Sequence, residues 1–300
     1  MGAGARERPC GPDAVFPIGS GPKLPDNHAM QGDEPADRPV PTLQRCPLPW
    51  LIGVLHLPAL PGAPAASRRV DDLAREAAED ALTLAACGFS AVLIENFHDT
   101  PFRADAADRE TIAAMAVIAA EVARAVSVPV GVNVLRNDAL AALAVAVAAG
   151  GSFLRVNVLS GAAVTDQGLV QGQAAELLRR RAALGREIAI LADVDVKHAT
   201  ALDTRPIGLR ARDLVHRARA DAVLVTGPAT GQPVDVNELA EVAEAVAPAP
   251  VLAASGTTPA NVAAALRHAS GVIVGSALKS TATGRVDRAR AAAFVEAARA

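Results

Sequence analysis

The stretch Leu51-Ile52-Gly53-Val54-Leu55-His56-Leu57-Pro58-Ala59-Leu60-Pro61-Gly62 opens the regular part of a 300-residue chain, and its reading decides the fold. Its first seven residues are an apolar, partly β-branched run, and a Pro/Gly turn signal follows them. An open dinucleotide-binding sheet would carry G-x-G-x-x-G directly after this first strand; residues 57–62 do not. Working outward, strand-like runs recur at 91–95, 128–134, 153–158, 188–194, 222–226, 251–254 and 271–275. Between and after them lie segments with apolar residues at helical spacing and Arg, Glu or Asp on the other side: 71–87, 110–125, 139–149, 174–184, 209–220, 236–247, 259–269 and 286–298. Asp138 and Asp235 stand where N-caps belong, and Gly88 and Gly185 where helices stop. Eight βα units in about 250 residues predict an α/β fold, a single (β/α)8 TIM barrel.

The barrel is assigned to 49–300. Residues 1–48 read as a disordered Pro/Gly-rich tail, because ten of the 21 prolines and six of the 23 glycines fall within 1–50 with no helical or strand period. Aromatics are 2% with no Tyr, and the formal net charge is −3, so a base-stacking or phosphate-backbone surface is excluded and nucleic acid is not an expected partner. Three cysteines, Cys10, Cys46 and Cys87, form no disulfide framework or zinc spacing, which points to a reducing, cytoplasmic setting. The longest apolar run, 139–149, is about half of what a transmembrane helix needs, and no signal peptide is read at the N-terminus.

In such a barrel the working residues lie at the C-terminal ends of the strands. There the sequence places His56, Glu95, Asn133, Arg155 with Asn157, and the run Asp193, Asp195, Lys197. Alternation puts Asp193, Asp195 and Lys197 on one face of the fifth strand, where three ionisable groups are costly unless they pair with one another, a metal or a ligand. Glu95, Asp193, Asp195 and Lys197 are therefore the catalytic candidates. His56, Asn133, Arg155 and Asn157 are expected to hold substrate, although Arg155 reads equally as an ion-pair partner for Glu95 or Asp193. A Schiff-base role for Lys197 ranks below a charged ammonium, since two aspartates beside it favour the cation. No cofactor is certain; an Mg or Mn ion on Asp193, Asp195 and Glu95 is the option the oxygen donors allow. His198 alternates to the other face, and His216 and His268 belong to helix surfaces.

A second signal comes from the last strands. Ser255 and Gly256 follow the seventh, and Gly275, Ser276 and Ala277 the eighth, small residues whose free backbone N–H groups suit a phosphate. Gly227 and Gly231, after the sixth strand, either close the same pocket or simply turn the chain. The 275–277 segment resembles that of the tryptophan synthase alpha subunit and other phosphate-binding barrels. The stretches 96–109 and 160–173 exceed the usual βα loop and read as lids that bring Asp99 and Asp166 over the mouth.

Several ordered segments resemble the BtpA/SgcQ family: the opening stretch through Gly62, Ile94-Glu95-Asn96-Phe97 with Pro101-Phe102, Gly131-Val132-Asn133 with Arg136-Asn137-Asp138, Arg155-Val156-Asn157, Thr165-Asp166-Gln167-Gly168, and Ala192-Asp193-Val194-Asp195-Val196-Lys197-His198. This chain has Asp195 where the family pattern has a histidine. The resemblance implies a TIM barrel, a founding member linked to photosystem I biogenesis at the thylakoid membrane, and relatives in sugar-phosphate contexts, some with a nucleoside triphosphatase label. That label gains nothing from the residues, because GxxxxGK[ST] is absent. Residues and resemblance together lead to an enzyme, a lyase, isomerase or hydrolase, acting on a small phosphorylated metabolite (a sugar phosphate or nucleotide-like) at the barrel mouth. The alternative is a non-catalytic biogenesis factor with a membrane-complex partner of the photosystem I type. Substrate, reaction and oligomeric state stay open, a homo-oligomer included.

Overall fold

The computed structural model describes Met1 and residues 42–300 apart from Pro228 and Thr230. The tail expected over 1–48 therefore lies, for 2–41, outside the described residues. Residues 42–48 do not behave as a tail. Leu43–Arg45 form a 3-10 turn, the Trp50 indole N–H donates to the Cys46 carbonyl at 3.1 Å, and Leu43, 0% exposed, packs into one cluster with Trp50, Ile52 and Phe153. Burying a whole leucine anchors this turn beneath the first strand.

In chain order the elements are β1 Trp50–His56, α1 Val70–Cys87, β2 Ala91–Glu95, α2 Arg109–Ala125, β3 Val130–Asn133, α3 Ala139–Ala149 and β4 Phe153–Val156. There follow the short strands β5 Ala162–Thr165 and β6 Gly168–Gln171, then α4 Ala174–Leu184, β7 Ala189–Asp193, β8 Ala199–Ala201 and α5 Ile207–His216. The chain finishes with β9 Ala222–Val225, α6 Val236–Val246, β10 Val251–Ala253, α7 Val262–Leu266, β11 Gly271–Val274 and α8 Arg288–Arg299. Eight parallel strands close in the order β1-β2-β3-β4-β7-β9-β10-β11, with β11 returning to β1. The fold is the TIM barrel.

The period-2 alternation of each strand splits the apolar residues into two cores. Ile52, Leu93, Phe153, Leu191, Leu224 and Ile273 fill the barrel interior. Leu51, Val92, Val132, Leu154, Ile190 and Val272 face the helices. Gly131 and Phe153 are register partners in β3 and β4. A Cβ on Gly131 would lie 2.2 Å from the Phe153 ring, so the glycine makes room for the interior's phenyl group. Nearer the C-terminal end, the register sets His56 beside Glu95 and Glu95 beside Asn133. The same alternation that buries leucines below lines up polar side chains above.

The helix punctuation follows the sequence. Asp138 accepts from the Ala141 N–H and Asp235 from the Asn237 N–H. Gly88 and Gly185 end their helices in the left-handed region, at φ 99° and 61°. One helix is much shorter than its periodicity: α7 runs only over Val262–Leu266, and the Asn261 side chain before it accepts from the Thr258 N–H and donates to the Gly256 carbonyl.

The two long loops differ from the lids expected. Within 160–173, β5 and β6 form a hairpin, and β8 from the loop after β7 adds to it, giving a three-stranded antiparallel sheet over the barrel. The other loop is latched down: Asp99, 7% exposed, accepts from the Leu60 N–H at 2.7 Å and the Asn96 amide at 3.0 Å. Asp99 does not reach over the mouth, whereas exposed Asp166 lies in the hairpin turn, close enough for its charge to act on Arg136.

Candidate functional site

At the C-terminal end of the barrel, four strands present one connected polar layer. Arg155 of β4, 3% exposed, binds Asp193 of β7 in bidentate fashion, Nε to Oδ2 at 3.1 Å and Nη2 to Oδ1 at 3.0 Å. Its Nη1 stands 3.9 Å from Glu95 Oε2 on β2, which accepts from Asn133 Nδ2 at 2.7 Å. Asn157 donates to Asp193 Oδ2 at 2.7 Å, and its own Oδ1 is buried without a partner among the described residues. A central guanidinium thus holds two carboxylates, the geometry a buried charge needs.

These neighbours set the protonation states. Burial alone would raise the Glu95 carboxyl, but the charges of Arg155, His56 and Lys197 and the Asn133 bond outweigh it, and Glu95 stays below the ordinary carboxylate range. Burial pushes the half-buried His56, stacked on Phe97 with ring centroids 4.3 Å apart, down to about 4, so it is neutral at pH 7. Lys197 is lowered by burial and then by the Arg155 charge, against the pull of Glu95 and Asp193. Its backbone carbonyl accepts from Arg136 Nη2 at 2.6 Å, a bond that fixes where the side chain starts.

Asp195 does not join this layer. β7 ends at Asp193, the chain leaves the sheet and reaches the left-handed region at His198 (φ 56°), so alternation stops where the expectation needed it to continue. The Asp195 carboxylate instead pairs with Arg210 of α5, behind the barrel wall. Asp193 and Lys197 face the mouth; Asp195 faces away. The three carboxylates considered for Mg or Mn are therefore not brought together, and no group of three or more His, Cys, Asp or Glu side chains able to hold a metal ion occurs among the described residues.

Beside the polar layer opens a cavity of about 290 Å3. Its ionisable wall is His56, Glu95, Arg155 and Lys197; its opposite wall is Ser255, Gly256, Thr257, Gly275, Ser276 and Ala277. Gly256 is held at φ 64°, and a Cβ there would lie 2.0 Å from the Gln232 carbonyl, so no other residue fits without moving the loop. A Cβ on Gly275 would sit 2.7 Å from the His56 ring. Among the described residues, the N–H groups of Gly256, Thr257, Ser276 and Ala277 make no hydrogen bond, and the buried Thr257 hydroxyl has no partner.

Of the residues expected to touch substrate, Asn133 and Asn157 act one step back, on Glu95 and Asp193. Gly227 also stands behind the cavity, where its N–H donates to Ser255 Oγ at 2.7 Å and braces the loop. Sequence reasoning missed Phe97 and Thr257. A ring placed next to a strand-end Glu-Asn pair, and a threonine two residues after Ser255, are signals only once the barrel register is known.

Comparisons with known proteins agree with this architecture. An uncharacterized protein of Thermococcus kodakarensis is 47% identical over 238 residues, covering 79% of this chain and 88% of its own. The photosystem I biogenesis protein BtpA of Synechocystis is 41% identical over 249 residues, covering 82% and 87%. Among solved structures, N-(5'-phosphoribosyl)anthranilate isomerase from Pyrococcus furiosus superposes with a TM-score of 0.53 at 15% identity, covering 83% of this chain and 98% of that one. Ligand-free tryptophan synthase from M. tuberculosis gives 0.53 at 21%, covering 84% and 92%. At those identities the structures share the fold alone. The BtpA family model matches residues 49–300, the whole of the barrel, and the chain belongs to the BtpA family.

Proposed function

We propose that this protein is an enzyme that binds a small phosphorylated metabolite in the C-terminal mouth of its barrel. One observation carries the reading: a single cavity joins a wall of backbone N–H groups that have no partner among the described residues to a wall bearing Glu95, Lys197, Arg155 and His56. The phosphate sits on the N–H groups of 256–257 and 276–277, with the Thr257 hydroxyl as a further donor. Glu95 and Lys197 move protons to and from the reacting end, and Arg155, locked by Asp193, stabilises negative charge that develops there. His56, neutral at pH 7, orients the substrate through its ring N–H or lone pair. Phosphorylated substrates in the names of barrels such as the Pyrococcus isomerase are compatible with this reading.

The test is thermal unfolding with inorganic phosphate and a panel of sugar phosphates. A ligand at about a hundred times its Kd stabilises by about 2.7 kcal/mol. Ser276→Asp, at an exposed position, sets a carboxylate among the N–H groups and abolishes that shift while the chain stays folded. No shift with any phosphate sinks the reading. The named role of the Synechocystis relative supports a second reading, docking onto a membrane protein complex. Under it Lys197→Met leaves partner binding intact; no described helix is long and apolar enough to cross a membrane itself.

A further inference from the structure

The chain has 29 basic side chains, yet only three are lysines: Lys23, Lys197 and Lys279. Lys23 lies outside the described residues, and the other two follow β7 and β11 at the rim of one mouth. Arginine serves almost everywhere else as the cation. The two side chains differ in one chemical respect that matters here: a guanidinium stays protonated, while an ammonium that is desolvated beside other cations releases its proton and becomes a nucleophile.

Lys197 has the surroundings for that. It lines the cavity opposite the phosphate loops, and among the described residues its ammonium makes no hydrogen bond and no ion pair. The two aspartates that were to keep it charged are both engaged, Asp195 by Arg210 and Asp193 by Arg155 and Asn157. Glu95, in the same cavity, is the carboxylate left to exchange a proton with it.

We infer that Lys197 is a nucleophilic amine that forms a covalent imine with the carbonyl carbon of its substrate, which is accordingly a ketone or aldehyde phosphate. This rests on the phosphate reading above and narrows it. The Lys197 ammonium passes one proton to Glu95, and the neutral amine adds to the carbonyl carbon, forming the C–N bond. One proton from the adduct nitrogen and the one held by Glu95 go to the former carbonyl oxygen. The C–O bond then breaks, water leaves, and a protonated imine remains. No oxidant or reductant is needed.

Reductive trapping tests it. The full chain is incubated with dihydroxyacetone phosphate or, separately, ribulose 5-phosphate, then treated with sodium borohydride and read by intact mass and peptide mapping. Hydride reduction of an imine leaves the protein heavier by the probe less one oxygen atom, and this adduct is expected on the Lys197 peptide. Lys279→Arg keeps the adduct. Lys197→Arg loses it, while inorganic phosphate still raises the melting temperature of that variant. An adduct on Lys23 or Lys279 overturns the inference. So does the absence of any adduct in a protein that phosphate stabilises, and then the phosphate reading stands without the amine. If phosphate leaves the melting temperature unmoved as well, both fall.

Discussion

The two ends of the barrel interior are built from the same eight strands and the same alternation, yet they differ in what they hold. Toward the strand starts, Trp50, Ile52, Phe153 and the turn residue Leu43 form a dry cluster. Toward the strand ends, the same inward positions carry His56, Glu95, Asn133, Arg155 and Asp193. Apolar burial at the bottom repays the entropy of closing the barrel, and the polar layer above is tolerated because Arg155 satisfies two carboxylates at once. The contrast separates stability from chemistry along one axis only a few residues long.

Mutations break that contrast to different degrees. Arg155→Met should have the largest effect: Asp193 and Glu95 lose their common cation, and denaturant unfolding should show a loss of about 3–5 kcal/mol together with loss of phosphate-ester binding. A variant as stable as the parent would mean that the polar layer is not held by this guanidinium. Leu43→Ala should cost about 2–5 kcal/mol by leaving a cavity at the bottom, with ligand affinity unchanged when measured by calorimetry well below the melting temperature. A change in affinity there would show that the two ends are coupled. Glu95→Gln keeps the Asn133 contact and removes the charge; turnover of whatever phosphate ester the protein converts should drop about a hundredfold, about 2.7 kcal/mol of barrier, with little change in unfolding.

The pH dependence is smaller. The unfolded chain takes up a proton at His56 near 6.5, whereas the folded chain does so only at about 4. Stability therefore falls as pH drops through that window, and His56→Asn should flatten the slope measured between pH 7 and pH 4. The smallest effect belongs to an exposed pair at the start of α1. Arg69 and Asp71 meet at 3.2 Å with side chains 79% and 78% exposed, and Arg69→Ala should shift unfolding by less than about 1 kcal/mol.

Most of the fold was legible because periodicity reports which side of an element is wet. β2, α3 and α4 run over the residues that their apolar spacing predicts. The turn at Leu43 was not legible, since a lone leucine among prolines carries no period and its burial depends on the closed barrel beneath Trp50. β5, β6 and β8 were hidden for a related reason: each is only three or four residues long, and β8 pairs with β5 across two loops far apart in sequence. For the site, the strand ends supplied Glu95, Arg155, Asp193 and Lys197, but alternation was carried past the end of the strand it describes. Asp195 shows the limit. Two residues beyond Asp193, with the same chemistry and the right parity, it faces the other side of the wall because the backbone has already turned.

The small sheet over the mouth has a kinetic consequence. Two segments that leave the barrel after different strands share one hydrogen-bonded ladder, Ala163 against Ala201 and Thr165 against Ala199, and Lys197 stands two residues before that ladder begins. They cannot open as two independent flaps. Amide protons of 163–165 and 199–201 should exchange with deuterium as one cooperative unit, at one rate, and loosening either strand should release the other. Such a coupling makes the position of Lys197 a property of a hairpin that begins at Ala162, about one βα unit earlier in the chain.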